Sequence, residues 1–479
     1  MKTILFAFLY FSLFFLMACS KTTIKDVPAP PPPTAPKSGE KSITFFVLKV
    51  ANNTGFTIDD TAKLSYNDTL TLTVPYGVDI TTLKPTITYT GSSIEPNSGV
   101  IQNFTNPVKY VVTAEDGTKK NYVVKVKVKI GSTVYAASEN GKLYALDGET
   151  GIMKWIYSTT GTINNASPAF YNGTVYIGSS DDFMYAIDAT TGILKWKFRA
   201  IGTLEYSTPT INNGILYFSG MAYNNIGGSL YAIDAGTGSL LWNYSHYYFA
   251  HNQTIDNGIV FFTAMNGLYG LNAHTGAILT MYDNSLFASN PLVANQMVCA
   301  GTEYSVASAF NVQTGKKIWD CLDNENGKWV TGVHTSPTLN NGIIFNGGTP
   351  NMYAIDSATG KIKWKFIANG TFFSPIVANG IVYAGNKNTY FYALDEFTGL
   401  LKWKFFCSSN GSSKIPFGNN GTVKDDIVFL GSSDKIYALD AFDGTIKWQY
   451  TTNESVAGGL CVVTEDNKIY NSGLSGEHQ

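Results

Sequence analysis

A thirteen-residue stretch, Leu143-Tyr144-Ala145-Leu146-Asp147-Gly148-Glu149-Thr150-Gly151-Ile152-Met153-Lys154-Trp155, recurs along this chain and limits what it can fold into. Copies span 184–196, 230–242, 352–364, 391–403 and 436–448, and two looser ones span 268–280 and 307–319. Eight copies of one unit therefore occupy everything after about residue 130. Tyr-Ala-Leu-Asp alternates large and small residues, the period of a strand with two different faces. Asp-x-x-Thr-Gly reverses the chain, because Asp accepts hydrogen bonds from the amides that follow and Gly supplies a positive φ. The Trp that closes each copy is large enough to pack against a neighbouring unit. Trp155, Trp196, Trp242, Trp319, Trp364, Trp403 and Trp448 hold that position, and Thr280 replaces it in the fourth copy. Burying ~150–250 Å² of indole at ~25 cal/mol/Å² bounds its contribution at several kcal/mol per copy.

Each copy is preceded by an apolar strand starting at Val134, Val175, Leu216, Val260, Val298, Ile344, Val382 or Val428, spaced 38 to 46 residues apart. Four short strands at that spacing predict the blade of a β-propeller. The run Val175-Tyr176-Ile177-Gly178-Ser179-Ser180, then Tyr185-Ala186-Ile187-Asp188, Thr191-Gly192, Trp196 and Ser207-Thr208-Pro209 resembles the pyrroloquinoline-quinone-like (PQQ-like) repeat. The resemblance implies an eight-bladed propeller over residues 131–479, with the Trp segments locking adjacent blades. Closure requires one blade built from both ends. Residues 455–463 would supply the innermost strand of the blade opened at Val134. Lys468-Ile469-Tyr470 is left as a ninth opening strand that competes with the first blade or extends it.

Residues 41–130 carry a different pattern. β-branched runs such as Ile43-Thr44-Phe45-Phe46-Val47-Leu48 and Leu70-Thr71-Leu72-Thr73-Val74 alternate with turn clusters, which predicts an all-β sandwich. Val74-Pro75-Tyr76-Gly77 and the segment from Phe104-Thr105-Asn106-Pro107-Val108 to Glu115-Asp116-Gly117 resemble the immunoglobulin-like domains of Bacteroidetes surface lipoproteins.

The N-terminus reads as a processing signal. Lys2 precedes an apolar run over 4–17, short for a membrane span. Leu16-Met17-Ala18-Cys19 resembles the lipobox of bacterial lipoproteins, which implies removal of residues 1–18 and lipidation of Cys19. Residues 19–40 then form a Pro-rich tether, since four successive prolines favour extended polyproline II. The expected location is the cell envelope, as an outer-membrane lipoprotein of unspecified leaflet. Cys299, Cys321, Cys407 and Cys461 remain in the mature chain at different places in different repeats, so no pairing is implied and free, buried thiols are expected.

Charge narrows the function. The net charge is −2 and Arg199 is the only arginine, which disfavours nucleic-acid recognition. His246 and His251 have no ligand set around them, so no metal is expected. The PQQ-like family includes quinoprotein dehydrogenases, the propeller lipoprotein of the outer-membrane β-barrel assembly machinery, and other envelope proteins. The dehydrogenase alternative implies PQQ held between a Trp and an adjacent-Cys disulfide, with calcium on nearby oxygens. No two Cys are adjacent here, and Trp329 is the one Trp outside the repeat position. No cofactor and no catalytic residue are therefore expected. The better expectation is a monomeric, lipid-anchored propeller that binds an envelope protein or a surface glycan through loops at 220–228, 320–334 and 419–426. Asn165, Glu205, Tyr206, His251, Ser289, His334, Phe373 and Lys414, with Trp329, form the candidate binding rim.

Overall fold

Each repeat folds into four antiparallel strands because three turn signals separate its apolar runs. In the second repeat the strands are Ala169–Tyr171, Thr174–Gly178, Phe183–Asp188 and Leu194–Arg199, designated a to d. The computed structural model describes residues 37–56, 60–65, 68–75, 77–129, 131–221, 228–246, 253–264, 267–283, 289–302, 304–323, 335–407, 421–456 and 458–471. Six further four-stranded sheets with the same order span 210–246, 254–283, 292–321, 338–367, 376–406 and 422–451. An eighth sheet joins Ser132–Ser138, Lys142–Asp147 and Met153–Ser158 to Cys461–Thr464 from the far end of the chain. Numbered from this blade, the ring has eight blades. Strands a pack against one another around the axis, and d lies at the periphery. Neighbouring blades cover both faces of strands b and c, which are buried almost throughout, whereas d alternates between buried and exposed positions.

The turn between c and d repeats its chemistry. Oδ1 of Asp188 accepts the Thr190 and Thr191 amides and the Thr191 hydroxyl, and Oδ2 meets Lys195 Nζ at 3.2 Å. Backbone and side-chain hydrogen bonds from Thr191 hold the Asp188 carboxyl down at about 2. Lys154–Asp147, Lys363–Asp356, Lys402–Asp395 and Lys447–Asp440 repeat the ion pair in blades 1, 6, 7 and 8.

Seven seams share one lock. The indole of Trp155 donates to the Ala189 carbonyl in the next blade at 2.9 Å, and Trp242 does the same to Ala273. Trp196, Trp319, Trp364 and Trp403 donate to Gly236, Ser357, Glu396 and Ala441. Trp448 closes the circle on Gly148 of blade 1. Each ring lies flat on the turn glycine of the next blade. A Cβ on Gly192 would come 2.8 Å from Trp155, and one on Gly151 would come 2.6 Å from Trp448. With φ at +72 in both, glycine is required twice over. Tyr135, Tyr176, Tyr217 and Tyr383 on strands b add a hydroxyl donor to the Ala189, Ala235, Ala273 and Ala441 carbonyls.

The fourth seam lacks its Trp and is held differently. Strand d of blade 4 carries an extra bulge that drops Tyr282 out of the pairing register. Tyr282 turns inward and donates to the Val312 carbonyl of blade 5 at 2.8 Å. Gly270, where other blades have Ala, admits its ring, since a Cβ there would lie 3.3 Å from Tyr282.

Blade 1 has five strands rather than four. Cys461–Thr464 takes the a position, packed against the a strands of blades 2 and 8, and pairs with Ser132–Ser138. Ile469–Asn471 pairs with its other edge and so lies on the axis side of the ring, beside Thr422–Lys424 of blade 8. The ninth opening strand extends the first blade.

The first compact unit ends at Lys127 and the propeller unit begins at Val128. The former has a three-stranded sheet, Asp60–Thr61, Ile43–Leu48 and Thr86–Tyr89, and a five-stranded sheet, Lys63–Ser65, Thr69–Val74, Lys119–Val128, Val108–Thr113 and Ser93–Glu95. Phe46 packs edge-on against Tyr110 and Phe104 in its core. Among the described residues no helix is long and apolar enough to cross a membrane.

Two outcomes test these seams. Trp403→Ala, which empties an indole site and leaves the Ala441 carbonyl with the Tyr383 hydroxyl alone, is expected to cost about 3–5 kcal/mol in urea unfolding, and Tyr282→Phe about 1 kcal/mol. Asp188 has a folded pKa below its unfolded value of about 3.9, so its stabilisation is complete above that pH and lost as pH falls toward 2. The urea midpoint should decline across that window, and Asp188→Asn should flatten part of the decline.

Candidate functional site

The antiparallel order of each blade sends the b-to-c loop and the d-to-a connection out on one face, and the a-to-b and c-to-d turns on the other. The second face carries the repeated locks. The first carries what differs from blade to blade.

Around blades 1 to 3 the first face is acidic and hydrogen-bonded. Glu205, half-buried before strand a of blade 3, accepts the Asn164 side-chain amide at 2.5 Å and the Thr162 hydroxyl at 3.1 Å. Thr162 also donates its amide to Ser180 Oγ at 2.8 Å. Asp181 accepts hydroxyl hydrogen bonds from Thr160 and, at 2.6 Å, from Tyr185. Burial opposes its charge, but the Thr160 and Tyr185 hydrogen bonds outweigh that and hold its pKa below the usual carboxylate range. Tyr206 is 40% exposed beside this cluster. Burial, then the charges of Glu205 and Glu139, raise its hydroxyl pKa.

Of the remaining rim residues, Phe373 is half-buried, with its amide on the Gly385 carbonyl and its ring against the cluster around Trp403. Asn165 is exposed, with φ at +48. Ser289 is buried and accepts the Gly301 amide at 2.7 Å, so it braces the blade interior instead of forming a rim. Cys19, His251, Trp329, His334 and Lys414 lie outside the described residues.

A second cluster was not foreseen. Asp323, at the base of the connection leaving blade 5, is almost buried. It accepts the Tyr353 hydroxyl at 2.9 Å and meets Lys365 Nζ at 3.6 Å. Asn351 donates to the Tyr353 hydroxyl at 2.8 Å, while its own side-chain oxygen is buried without a partner. Burial foremost raises the Tyr353 pKa. Together these groups pin the start of the long connection onto blade 6. The sequence signal was the Tyr within the c strand of every blade but the fifth, whose hydroxyl also meets the preceding loop in Tyr231, where it accepts the Ile201 amide.

Among the described residues, the groups that the dehydrogenase resemblance implies for a quinone and calcium do not converge. Cys299, Cys321, Cys407 and Cys461 are buried free thiols, and burial pushes Cys321 up to about 12. Cys299 and Cys321 share one core cluster but stand on strands b and d of blade 5, with strand c between them. No adjacent-Cys disulfide exists to stack on a quinone. Strand Ile469–Asn471 also occupies part of the axial space. Among the described residues no group of three or more His, Cys, Asp or Glu converges as a metal site.

Residues 123–254, 227–365 and 308–473 match the repeat family described as outer membrane protein assembly factor BamB. The chain belongs to this family. Residues 44–126 match the family described as SGBP, N-terminal, so a Bacteroidetes-type domain precedes the BamB-like propeller. Similar solved structures include BamB from Moraxella catarrhalis, 17% identical, covering 65% of this chain and 89% of that one with a TM-score of 0.49. The computationally designed Ika8 protein is 17% identical over 65% of this chain and 97% of its own, with a TM-score of 0.52. Dihydro-heme d1 dehydrogenase NirN, in complex with DHE, is 11% identical over 67% and 73%, with a TM-score of 0.53. At these identities Ika8 and NirN share the fold alone. No curated protein matches the chain.

Asp323→Asn, which keeps the shape but removes the carboxylate charge that faces Lys365, should cost the BamB-like propeller about 1–3 kcal/mol in urea unfolding. Tyr353→Phe should cost a similar amount.

Proposed function

We propose that this protein is a lipid-anchored scaffold of the cell envelope. Its BamB-like propeller binds an envelope protein through the face that carries the d-to-a connections, in the assembly of outer-membrane proteins. The observation that carries the reading is the match of residues 123–473 to a family described as outer membrane protein assembly factor BamB, which spans all eight repeats. The lipobox-like Cys19 supplies the anchor, and the Pro-rich segment with the SGBP-type domain acts as a spacer. Two local features support use of the loop face. Glu205 and Tyr206 form a polar and aromatic rim that suits an extended polypeptide. The Asp323–Tyr353–Lys365 cluster fixes one end of a long connection, which lowers the ordering cost when that loop engages a partner.

Crosslinking and pull-down of the full-length chain from intact cells, with a propeller-deleted chain as control, tests this. An outer-membrane barrel or assembly subunit should be captured only with the propeller, and Glu205→Lys with Tyr206→Ala should reduce that capture. Capture of surface glycan alone, or of the same proteins without the propeller, would overturn the assembly reading.

A further inference from the structure

Each blade has one residue whose carbonyl receives the indole, or in one case the Tyr282 hydroxyl, of the blade before it. Gly148, Ala189, Ala235, Ala273, Val312, Ser357 and Ala441 hold that place in seven blades, and blade 7 has Glu396 there. The Glu396 backbone does what the others do, accepting the Trp364 indole N–H at 3.0 Å. The residue is 1% exposed, and its side chain crosses the seam to the a-to-b turn of blade 6. There Oε1 accepts the Asn340 and Asn341 side-chain amides at 2.8 and 3.1 Å. Oε2 is buried and has no hydrogen-bond partner. Among the described residues no Lys, Arg or His forms an ion pair with it.

Bracing the seam does not explain a carboxylate here. Alanine suffices at the same place in blades 2, 3, 4 and 8, and burying a carboxylate without a counter-charge is strongly unfavourable. The seam between blades 8 and 1 shows one remedy. Glu149, in the corresponding turn, meets Lys424 Nζ at 3.7 Å, and Lys424, the last residue of strand a, is almost buried. Blade 6 has Asn340 at the position of Lys424, so the charge is met by amides instead of an ammonium. Each Asn side chain carries an oxygen as well as a nitrogen at nearly equal reach. A half-turn about the last side-chain bond therefore sets two amide oxygens beside the carboxylate.

We propose that Glu396, Asn340 and Asn341 form a calcium site that clamps blade 6 to blade 7. Oxygens about 3 Å apart suit a cation coordinated at ~2.3–2.6 Å. Glu396 supplies the charge, the two amides supply neutral oxygens, and water completes the shell beside Asn341, which is exposed. One carboxylate among neutral donors puts the affinity at the weak end for calcium, about 0.1–1 mM. The clamp strengthens a seam that lacks one bond of its neighbours. Strand b of blade 6 carries Phe345 where blades 1, 2, 3 and 7 carry a Tyr that donates to the next blade's carbonyl. The site is on the face opposite the d-to-a connections and stands whichever partner those connections bind.

Terbium, a luminescent stand-in for calcium, is the first probe, because the Trp364 indole rests on the Glu396 carbonyl and can sensitise its emission. The full chain, stripped with chelator and desalted, should give saturable emission that calcium displaces. Glu396→Gln, which keeps the shape and removes the charge, should weaken that binding at least about tenfold. Glu396→Ala, which installs the residue of four other blades, should fold and abolish it. Glu149→Gln, whose carboxylate already faces Lys424, should leave it intact. Calcium at about 10 mM should raise the urea midpoint of the native chain above its value in NaCl of equal ionic strength, and should not do so for Glu396→Ala. Terbium binding or calcium stabilisation that survives Glu396→Ala, or a calcium effect no larger than that of NaCl, would overturn the proposal and leave Glu396 as a hydrogen-bonded brace.

Discussion

One contact organises this ring: an indole lying flat on a glycine of the next blade while its N–H meets a carbonyl of that blade. It does two jobs with one side chain. Apolar area holds adjacent sheets together, and the directed hydrogen bond sets the angle at which they meet. A blade cannot bury both faces of its b and c strands by itself, so each depends on two neighbours. Seven copies of this geometry, with Tyr282 standing in at the fourth seam, make the eighth blade meet the first. Trp448 donates to Gly148 as its equivalents do, although the two residues come from opposite ends of the propeller sequence.

Much of this was legible because the lock is local in sequence. Asp, Thr, Gly and Trp fall within nine residues, and each type is demanded by one step of the turn or the seam. What was illegible depended on register. Thr280 reads as a lost lock, yet an additional bulge moves Tyr282 into contact and Gly270 makes room for it. No spacing rule anticipates a bulge that only the neighbouring blade rewards. The place of Ile469–Asn471 was open for a related reason: its pattern matches any b strand, and only the prior pairing of Ser132–Ser138 with Cys461–Thr464 leaves it the axial edge. The candidate rim was less legible still. Glu205 and Tyr206 stand together as adjacent residues must, but the hydrogen-bond partners of Glu205, Asn164 and Thr162, come from the connection before another blade. Asp323 stands in the 320–334 loop that the sequence marks and reads there as a polar surface residue, because its partners Tyr353 and Lys365 lie about thirty residues or more away.

The two faces of the ring are under different constraints. Turns on the c-to-d face are tied to the locks, so a change there is felt at a seam. Connections on the opposite face leave the blade edge and tolerate length and composition, so they are free to differ. Buried polar clusters such as Asp181 with Tyr185, and Asp323 with Tyr353, occur where those connections return to the scaffold. They fix loop ends on a rigid support, the arrangement that keeps recognition segments close to a bound geometry.

The axis is where scaffold and enzyme would diverge most. A cofactor chemistry at the centre of a propeller needs an open funnel and convergent donors. Here the C-terminal strand adds backbone to the axial edge of blade 1, and the thiols that would flank a planar cofactor are dispersed into separate seams or separate strands. Closure itself rests on one ladder, Cys461–Thr464 against Ser132–Ser138, and Ile469–Asn471 covers the other edge of the closing strand.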